Sequence, residues 1–284
     1  MLKFLSLSSG SCGNCYFLSD GKAGIVIDAG VSLRRLKKNL TERGFSLDSF
    51  QAILVTHDHL DHIRHLGAWC KHLCKPVYAT GTLHEALAIH TFTRDWIGPC
   101  RRTLPEGTEI LRLLPGLPEQ DCPHVRHFVV PHDATQTVGY FIEWQGVNFF
   151  LMTDAGRVTE EALEYASMAD TLVFESNYDP GMLIGGPYTH ELKMRICKGN
   201  GHLSNEECAE AIRKIWHPGL KNIFLCHLSE NNNTPDLAFT ATAEMLDSID
   251  AGNGKSAMQM TSLRTLPRAR ASQVYFLQGD NSSN

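Results

Sequence analysis

The most constraining feature of this chain is the run Thr56-His57-Asp58-His59-Leu60-Asp61-His62, which follows directly on the apolar stretch Ala52-Ile53-Leu54-Val55. Gln51–Thr56 has the length and composition of a short buried strand, so the chain passes from core into a cluster of imidazoles and carboxylates without a spacer. On a regular strand His57, His59 and Asp61 share a face and His62 opposes them. In a loop leaving the strand, the two halves of the run can instead turn toward two different ions. Imidazole and carboxylate together suit zinc, manganese or iron. The competing reading is a polar loop at a helix start, with Asp61 as an N-terminal capping group.

Around this run the pattern is that of an α/β protein. Strands are expected at Phe4–Ser8, Cys15–Ser19 and Ala23–Asp28, the last two joined through Asp20-Gly21-Lys22 as a hairpin. A helix from Ser32 to Arg43 is closed by Gly44. Apolar residues at helical spacing (Ile63, Leu66, Trp69, Leu73) extend a further helix over Asp61–Leu73. Pro76–Ala79 reads as a strand and Thr82–His90 as a helix. The stretch from Arg94 to Pro123 reads as loops, with a short strand near Glu109–Leu113. Strands then fall at Val125–Pro131, Val138–Trp144, Val147–Met152, Thr171–Glu175, Asn222–Cys226 and Gln273–Leu277. Helices fall at Thr159–Ser167, His190–Cys197, Asn205–Trp216 and Pro235–Ile249, and Ser204 and Glu207 form a capping box for the third. Hairpins followed by alternating strands and helices occur in each half. That predicts a four-layer αββα sandwich, two sheets face to face with helices outside. No Pro/Gly/Ser-rich linker divides the chain, so a single domain over 1–284 is expected.

Further ligand candidates stand at the ends of apolar strands: His132 after Phe128-Val129-Val130-Pro131, Asp154 after Phe149-Phe150-Leu151-Met152-Thr153, and His227 after Ile223-Phe224-Leu225-Cys226. Strand ends along one sheet edge are where α/β proteins collect ligands. A strand-end Asp is also a common turn residue, so these residues carry weight as a set rather than singly. The nine cysteines are odd in number, which excludes a complete disulfide framework and suits reduced thiols in the cytoplasm. Cys12 and Cys15 form a lone pair that reads as core or turn residues. No apolar run approaches the roughly 20 residues needed to span a bilayer. The net charge of −5 argues against a broad basic surface for nucleic acid. It does not exclude a nucleic-acid substrate, because two bound dications would invert the local field.

Taken together, these motifs resemble the metallo-β-lactamase-fold superfamily over nearly the whole chain. The resemblance implies that His57, His59 and His132 hold one metal, that Asp61, His62 and His227 hold a second, and that Asp154 bridges them. Asp28, closing Ile25-Val26-Ile27-Asp28-Ala29-Gly30, matches a residue that orients the ligand loop from behind. Within the superfamily, four segments resemble the YycJ/WalJ-type proteins, a bacterial branch of 5′→3′ exonucleases. They are Leu7–Cys15, Glu175-Ser176-Asn177-Tyr178-Asp179, Gly201-His202-Leu203-Ser204-Asn205 and His227–Asn232. Tyr178 stands where a histidine is expected and receives no ligand role. The same segments are similar to those of the tRNA 3′-processing endonuclease RNase Z. That likeness implies His202 as a catalytic histidine supported by Glu175, able to give a proton to a leaving 3′-oxygen. The alternative for His202 is a helix-entry residue satisfied by the capping turn.

The expectation is therefore a phosphodiesterase with two divalent ions, zinc or manganese, in which a hydroxide shared by the metals attacks phosphorus. Asp61, Glu175 and His202 are the expected catalytic groups and DNA the expected substrate. Ser9, Ser11 and Asn14, in a loop with two glycines, and Arg195 are candidates to meet phosphate. A tight hairpin connection explains the Ser8–Asn14 loop equally well, and a solvated helix face explains Lys193 and Lys198. The span from Asp154 to His227 is filled by strands and helices and leaves no room for an inserted cap domain. Two rival classes stand beside this one. They are a glyoxalase II-like hydrolase of a small ester or thioester, and a non-catalytic metal-bound regulator.

Overall fold

A computed structural model describes residues 1–105, 111–114, 117–118 and 121–279. Fourteen strands occur among them: β1 (Leu2–Ser8), β2 (Cys15–Ser19), β3 (Gly24–Ile27), β4 (Ala52–Leu54), β5 (Val77–Ala79), β6 (Arg101–Thr103), β7 (Leu111–Arg112), β8 (His124–Val130), β9 (Thr137–Trp144), β10 (Val147–Met152), β11 (Thr171–Glu175), β12 (Asn222–Cys226), β13 (Ser262–Thr265) and β14 (Tyr275–Leu277). They form two seven-stranded sheets, ordered β14-β1-β2-β3-β4-β5-β6 and β13-β12-β11-β10-β9-β8-β7. Both sheets are mixed. In the first, β14, β1, β2 and β3 pair antiparallel and β3 to β6 pair parallel. In the second, β9 and β10 pair antiparallel and β10 to β13 pair parallel.

The chain divides into two compact units. One comprises Met1–Arg126, Ala134–Gln136 and Pro267–Leu277, and the other His127–Asp133, Thr137–Leu266 and Gln278–Asn284. In the first unit, Leu5, Leu7, Phe17, Val26, Ile53, Val55 and Val77 form one sheet face. It packs against Leu36 and Leu40 of the helix Leu33–Thr41, Trp69 of Leu66–Leu73 and Leu83 and Leu87 of Gly81–Ile89. In the second, Phe128, Phe141, Phe150, Met152, Leu172, Phe174, Ile223 and Leu225 meet three helices. These are Glu160–Ser167 through Tyr165, Asn205–Ile215 through Cys208 and Ile212, and Pro235–Asp247 through Leu246. Strands β2, β3 and β4 are buried on both faces, which is why they read as continuous apolar runs rather than alternating ones.

The expected helix over Asp61–Leu73 is two helices, Leu60–Ile63 and Leu66–Leu73, broken at His65, whose φ of −108° and ψ of 0° leave the helical region. The break follows from tertiary contact, since His65 N–H donates to Ala29 O at 3.1 Å. The helix Pro180–Gly185 and the strands β6 and β13 carry no apolar periodicity that would announce them: β6 is Arg-Arg-Thr and exposed throughout, and β13 is Ser-Leu-Arg-Thr. Of the strand expected at Glu109–Leu113, residues 109 and 110 lie outside the described residues, and Leu111–Arg112 is a strand. Among the described residues no helix is long and apolar enough to cross a membrane.

Candidate metal centre

Asp28, His57, Asp154, Glu175 and His227 stand at or just beyond the carboxyl ends of the parallel strands β3, β4, β10, β11 and β12, where backbone groups are released from the ladder and turns expose side chains. Three of these residues adopt the left-handed conformation: Asp28 after β3 (φ 64°), Asp154 after β10 (φ 56°) and His227 after β12 (φ 52°). Asp and His tolerate this region better than most residues, and such strained positions cluster at functional sites. At each one the chain turns sharply off the sheet while its side chain stays in contact with the polar cluster.

In the first unit, Asp28 is the organising group. Its carboxylate is fully buried and accepts from Thr56 N at 2.8 Å, Thr56 Oγ1 at 2.8 Å and His62 Nδ1 at 2.7 Å. The last bond fixes the proton of His62 on Nδ1, so Nε2 carries the lone pair. The His57 and His62 rings are tilted at 46° with centroids 4.0 Å apart, and His57 and His59 meet edge-on at 4.8 Å. His59 ends the extended segment and Leu60 opens the helix. The Asp61 carboxylate, in the first helical turn, lies 3.5 Å from His62 Nε2. Asp61 thus faces the histidine rather than serving only the helix terminus.

In the second unit, His132 donates from Nδ1 to Gly201 O at 2.8 Å, which leaves its Nε2 as the acceptor, 3.8 Å from Asp154 Oδ1. Thr153 Oγ1 donates to Asp154 Oδ2 at 2.7 Å. Glu175, the last residue of β11, is fully buried and saturated. Ala155 N donates to its Oε2 at 2.9 Å, and His202 Nδ1 and His227 Nδ1 reach Oε1 at 2.8 and 3.0 Å. Burial pushes the Glu175 carboxyl up, but the charge of His202 and the hydrogen bonds of His202 and His227 outweigh it and hold the group below its ordinary value. The reciprocal effect raises His202 despite its burial, whereas burial lowers His132. Asp154, Glu175, His202 and His227 each offer an atom within 4.8 Å of the others, so two carboxylates and two imidazoles converge in this unit, with Glu175 committed to the two rings as their hydrogen-bond partner. Nitrogen and oxygen donors held by second hydrogen bonds are a fitting set for a divalent cation of the zinc or manganese type.

The phosphate candidates divide by exposure. Ser11 is exposed, and Arg195 is exposed and hydrogen-bonded through Nε to Asp133 Oδ2. Ser9 and Asn14 are fully buried, with Ser9 Oγ 2.8 Å from Tyr16 Oη. Cys12 is exposed while Cys15 is buried, in keeping with turn and core positions. Tyr178 is buried, its carbonyl accepts Asn205 N at 2.8 Å, and burial pushes its hydroxyl pKa well up.

Sequence reasoning missed the asparagines behind the second cluster. Asn177 Nδ2 donates to His227 O at 2.8 Å. Asn233 Nδ2 lies within 3.0 Å of the carbonyls of Ser176 and Asn177 and of Asn205 Oδ1, and Asn205 Nδ2 donates back to Asn233 Oδ1 at 3.0 Å. Asn177 and Asn233, together with Asn205 at the start of the expected helix, therefore stitch the ends of β11 and β12 to the helix Asn205–Ile215. The only sequence signal was their placement beside Glu175, His202 and His227.

Residues 24–227 match the model of the family described as the β-lactamase superfamily domain. The chain belongs to that superfamily and is a hydrolase of the metallo-β-lactamase fold. It is 31% identical over 253 residues to exodeoxyribonuclease WalJ of Streptococcus pneumoniae, covering 89% of this chain and 91% of that one. It is 30% identical over 255 residues to exodeoxyribonuclease YycJ of Bacillus anthracis, covering 90% and 93%. Among solved structures, Zn²⁺-bound PqqB of Methylobacterium extorquens superposes with a TM-score of 0.68 at 17% identity, over 97% of this chain and 100% of that chain, a likeness of fold.

Proposed function

We propose that this protein is a metal-dependent 5′→3′ DNA exonuclease that acts through two divalent ions. The observation that carries the reading is its similarity, across about nine-tenths of the chain, to relatives named exodeoxyribonucleases. In this reading His57, His59 and His132 would hold one ion, Asp61, His62 and His227 would hold the other, and Asp154 would contribute to both. Bound divalent ions supply Lewis acidity and activate water at neutral pH. The two units then serve as one functional domain over 1–284, without an inserted cap, and the chain works in the cytoplasm.

The chain's own residues supply the rest. Asp28 and Gly201 O take the Nδ1 protons of His62 and His132, so that both rings present a lone pair from Nε2. Glu175 accepts from His202 Nδ1, which orients the ring and favours its protonated form. His202 then donates its Nε2 proton to the 3′-oxygen as the P–O3′ bond breaks, while the oxygen of water becomes bonded to phosphorus and one proton of that water passes to solvent, from which His202 is reprotonated. The released nucleotide leaves as the 3′-alcohol and the remaining strand keeps a 5′-phosphate. The exposure of Ser11 and Arg195 supports a role in meeting backbone phosphates, Arg195 by exchanging its Asp133 partner.

The test is degradation of 5′- and 3′-labelled single- and double-stranded DNA and RNA in the presence of Zn²⁺ or Mn²⁺. Early release of the 5′ label from DNA is expected. His202→Ala should lower kcat by about 10²–10⁴-fold, the usual contribution of a positioned acid. If the metal-loaded protein leaves nucleic acid intact and hydrolyses thioesters, the reading is wrong.

A further inference from the structure

The loop between β1 and β2 brings one side chain onto the ligand run. Asn14 is fully buried, and its Nδ2 lies 2.8 Å from His62 Nε2 and 3.1 Å from Asp61 Oδ2. Because Asp28 holds the Nδ1 proton of His62, the Nε2 that faces Asn14 is an acceptor, and so is the carboxylate oxygen of Asp61. The amide donor therefore sits between two lone-pair-bearing atoms only 3.5 Å apart, which would otherwise repel. The amide is itself held: Oδ1 accepts Gly10 N at 2.8 Å, and Tyr16 Oη, bonded to Ser9 Oγ, stands 3.5 Å away.

The backbone enforces the same contact. Asn14 N donates to Asp61 O at 2.7 Å and Gly30 N donates to Asn14 O at 2.9 Å. A Cβ at Gly30 would fall 1.9 Å from Asp61 O and 2.4 Å from Asn14 N, so only glycine lets the three segments meet. The loop is thereby keyed to the Asp61–His62 pair through both main chain and side chain. Full burial leaves Asn14 no surface to offer a phosphate.

We infer that Asn14 is a positioning residue: its carboxamide holds Asp61 and His62 converged and so sets the affinity and geometry of the metal that this pair would bind. The inference rests on the proposed reading of Asp61 and His62 as ligands of one ion. The cation would take the His62 Nε2 lone pair that accepts the amide here, leaving Asn14 bonded to Asp61 Oδ2 and Gly10 O, so the amide would keep the carboxylate beside the ring and lower the reorganisation that binding requires. Partners of this kind are typically worth roughly 10–100-fold in metal affinity.

The experiment is Zn²⁺ titration against a chromophoric chelator, with Co²⁺ absorption spectra, on the wild type, Asn14→Ala and Asn14→Asp. Asn14→Ala should weaken one metal equivalent by about 10–100-fold and leave the other within about twofold. Asn14→Asp fills the same space without the donor and should alter the Co²⁺ ligand-field bands; it carries the test if the alanine variant does not fold. Wild-type isotherms and spectra in both variants, with only a lowered Tm, would make Asn14 a structural loop residue and overturn the inference. Tighter metal binding in Asn14→Ala overturns it equally. A wild type that binds two metals but spares DNA counts against the exonuclease reading alone, and one that takes up no metal refutes both.

Discussion

At the scale of single residues, the candidate site is built from groups whose second hydrogen bond is already committed. His62 is bound to Asp28, His132 to Gly201 O, and His202 and His227 to Glu175. An imidazole fixed in this way presents one defined nitrogen, so binding does not have to select a tautomer or a rotamer. Asp28 is the clearest case, because one carboxylate serves Thr56 and His62 together. Asp28→Asn keeps the shape but cannot accept as a charged group, and we expect metal affinity to fall by roughly 10–100-fold. Metal content after dialysis, measured beside the wild type, checks this. An undiminished content would reduce Asp28 to a turn residue.

At the scale of elements, the site depends on how strand ends are tied to the helices that follow them. The buried Asn177–Asn205–Asn233 network joins the ends of β11 and β12 to the helix Asn205–Ile215, whose start is further fixed by the Ser204–Glu207 capping box. Removing the Asn233 amide takes a partner from Ser176 O and from Asn205 Nδ2, while Asn177 O keeps Ser229 N, at a cost of about 1–3 kcal/mol for each buried group left unpaired. Asn233→Ala is therefore expected to lower stability by at least that amount in urea unfolding. It should also slow turnover, because the segment bearing His202 loses its anchor. Asn231→Ala, whose amide meets Tyr188 Oη at the surface, should change stability by less than about 0.5 kcal/mol. Equal effects from the two substitutions would argue against the network. Elements were legible in the sequence where periodicity was strong, as in the helix Asn205–Ile215 or strand β10. They were illegible where tertiary contact set the outcome, as at His65, where the expected single helix breaks to meet Ala29 O.

At the scale of the whole molecule, each unit has its own helix-covered sheet face, and each carries part of the ligand set at its strand ends. A ligand that binds only the folded chain stabilises it by mass action. Metal removal by chelator should thus lower the Tm, and re-addition of Zn²⁺ or Mn²⁺ should restore it, with a larger increment in the wild type than in Asp154→Ala. Scanning calorimetry at fixed protein concentration reads this directly, and a Tm indifferent to chelation would contradict a structural share for the metals. The sequence by itself determined the α/β alternation, the buried strands and the identity of the histidines and carboxylates at their ends, because these are properties of local composition and period. Only the tertiary structure decided which partner each imidazole takes, that Asp28, Asp154 and His227 turn through left-handed conformations, and that Asn14 lies against Asp61 and His62. Those outcomes depend on segments far apart in the chain, and the run His57–His62 acquires its geometry from residues outside it.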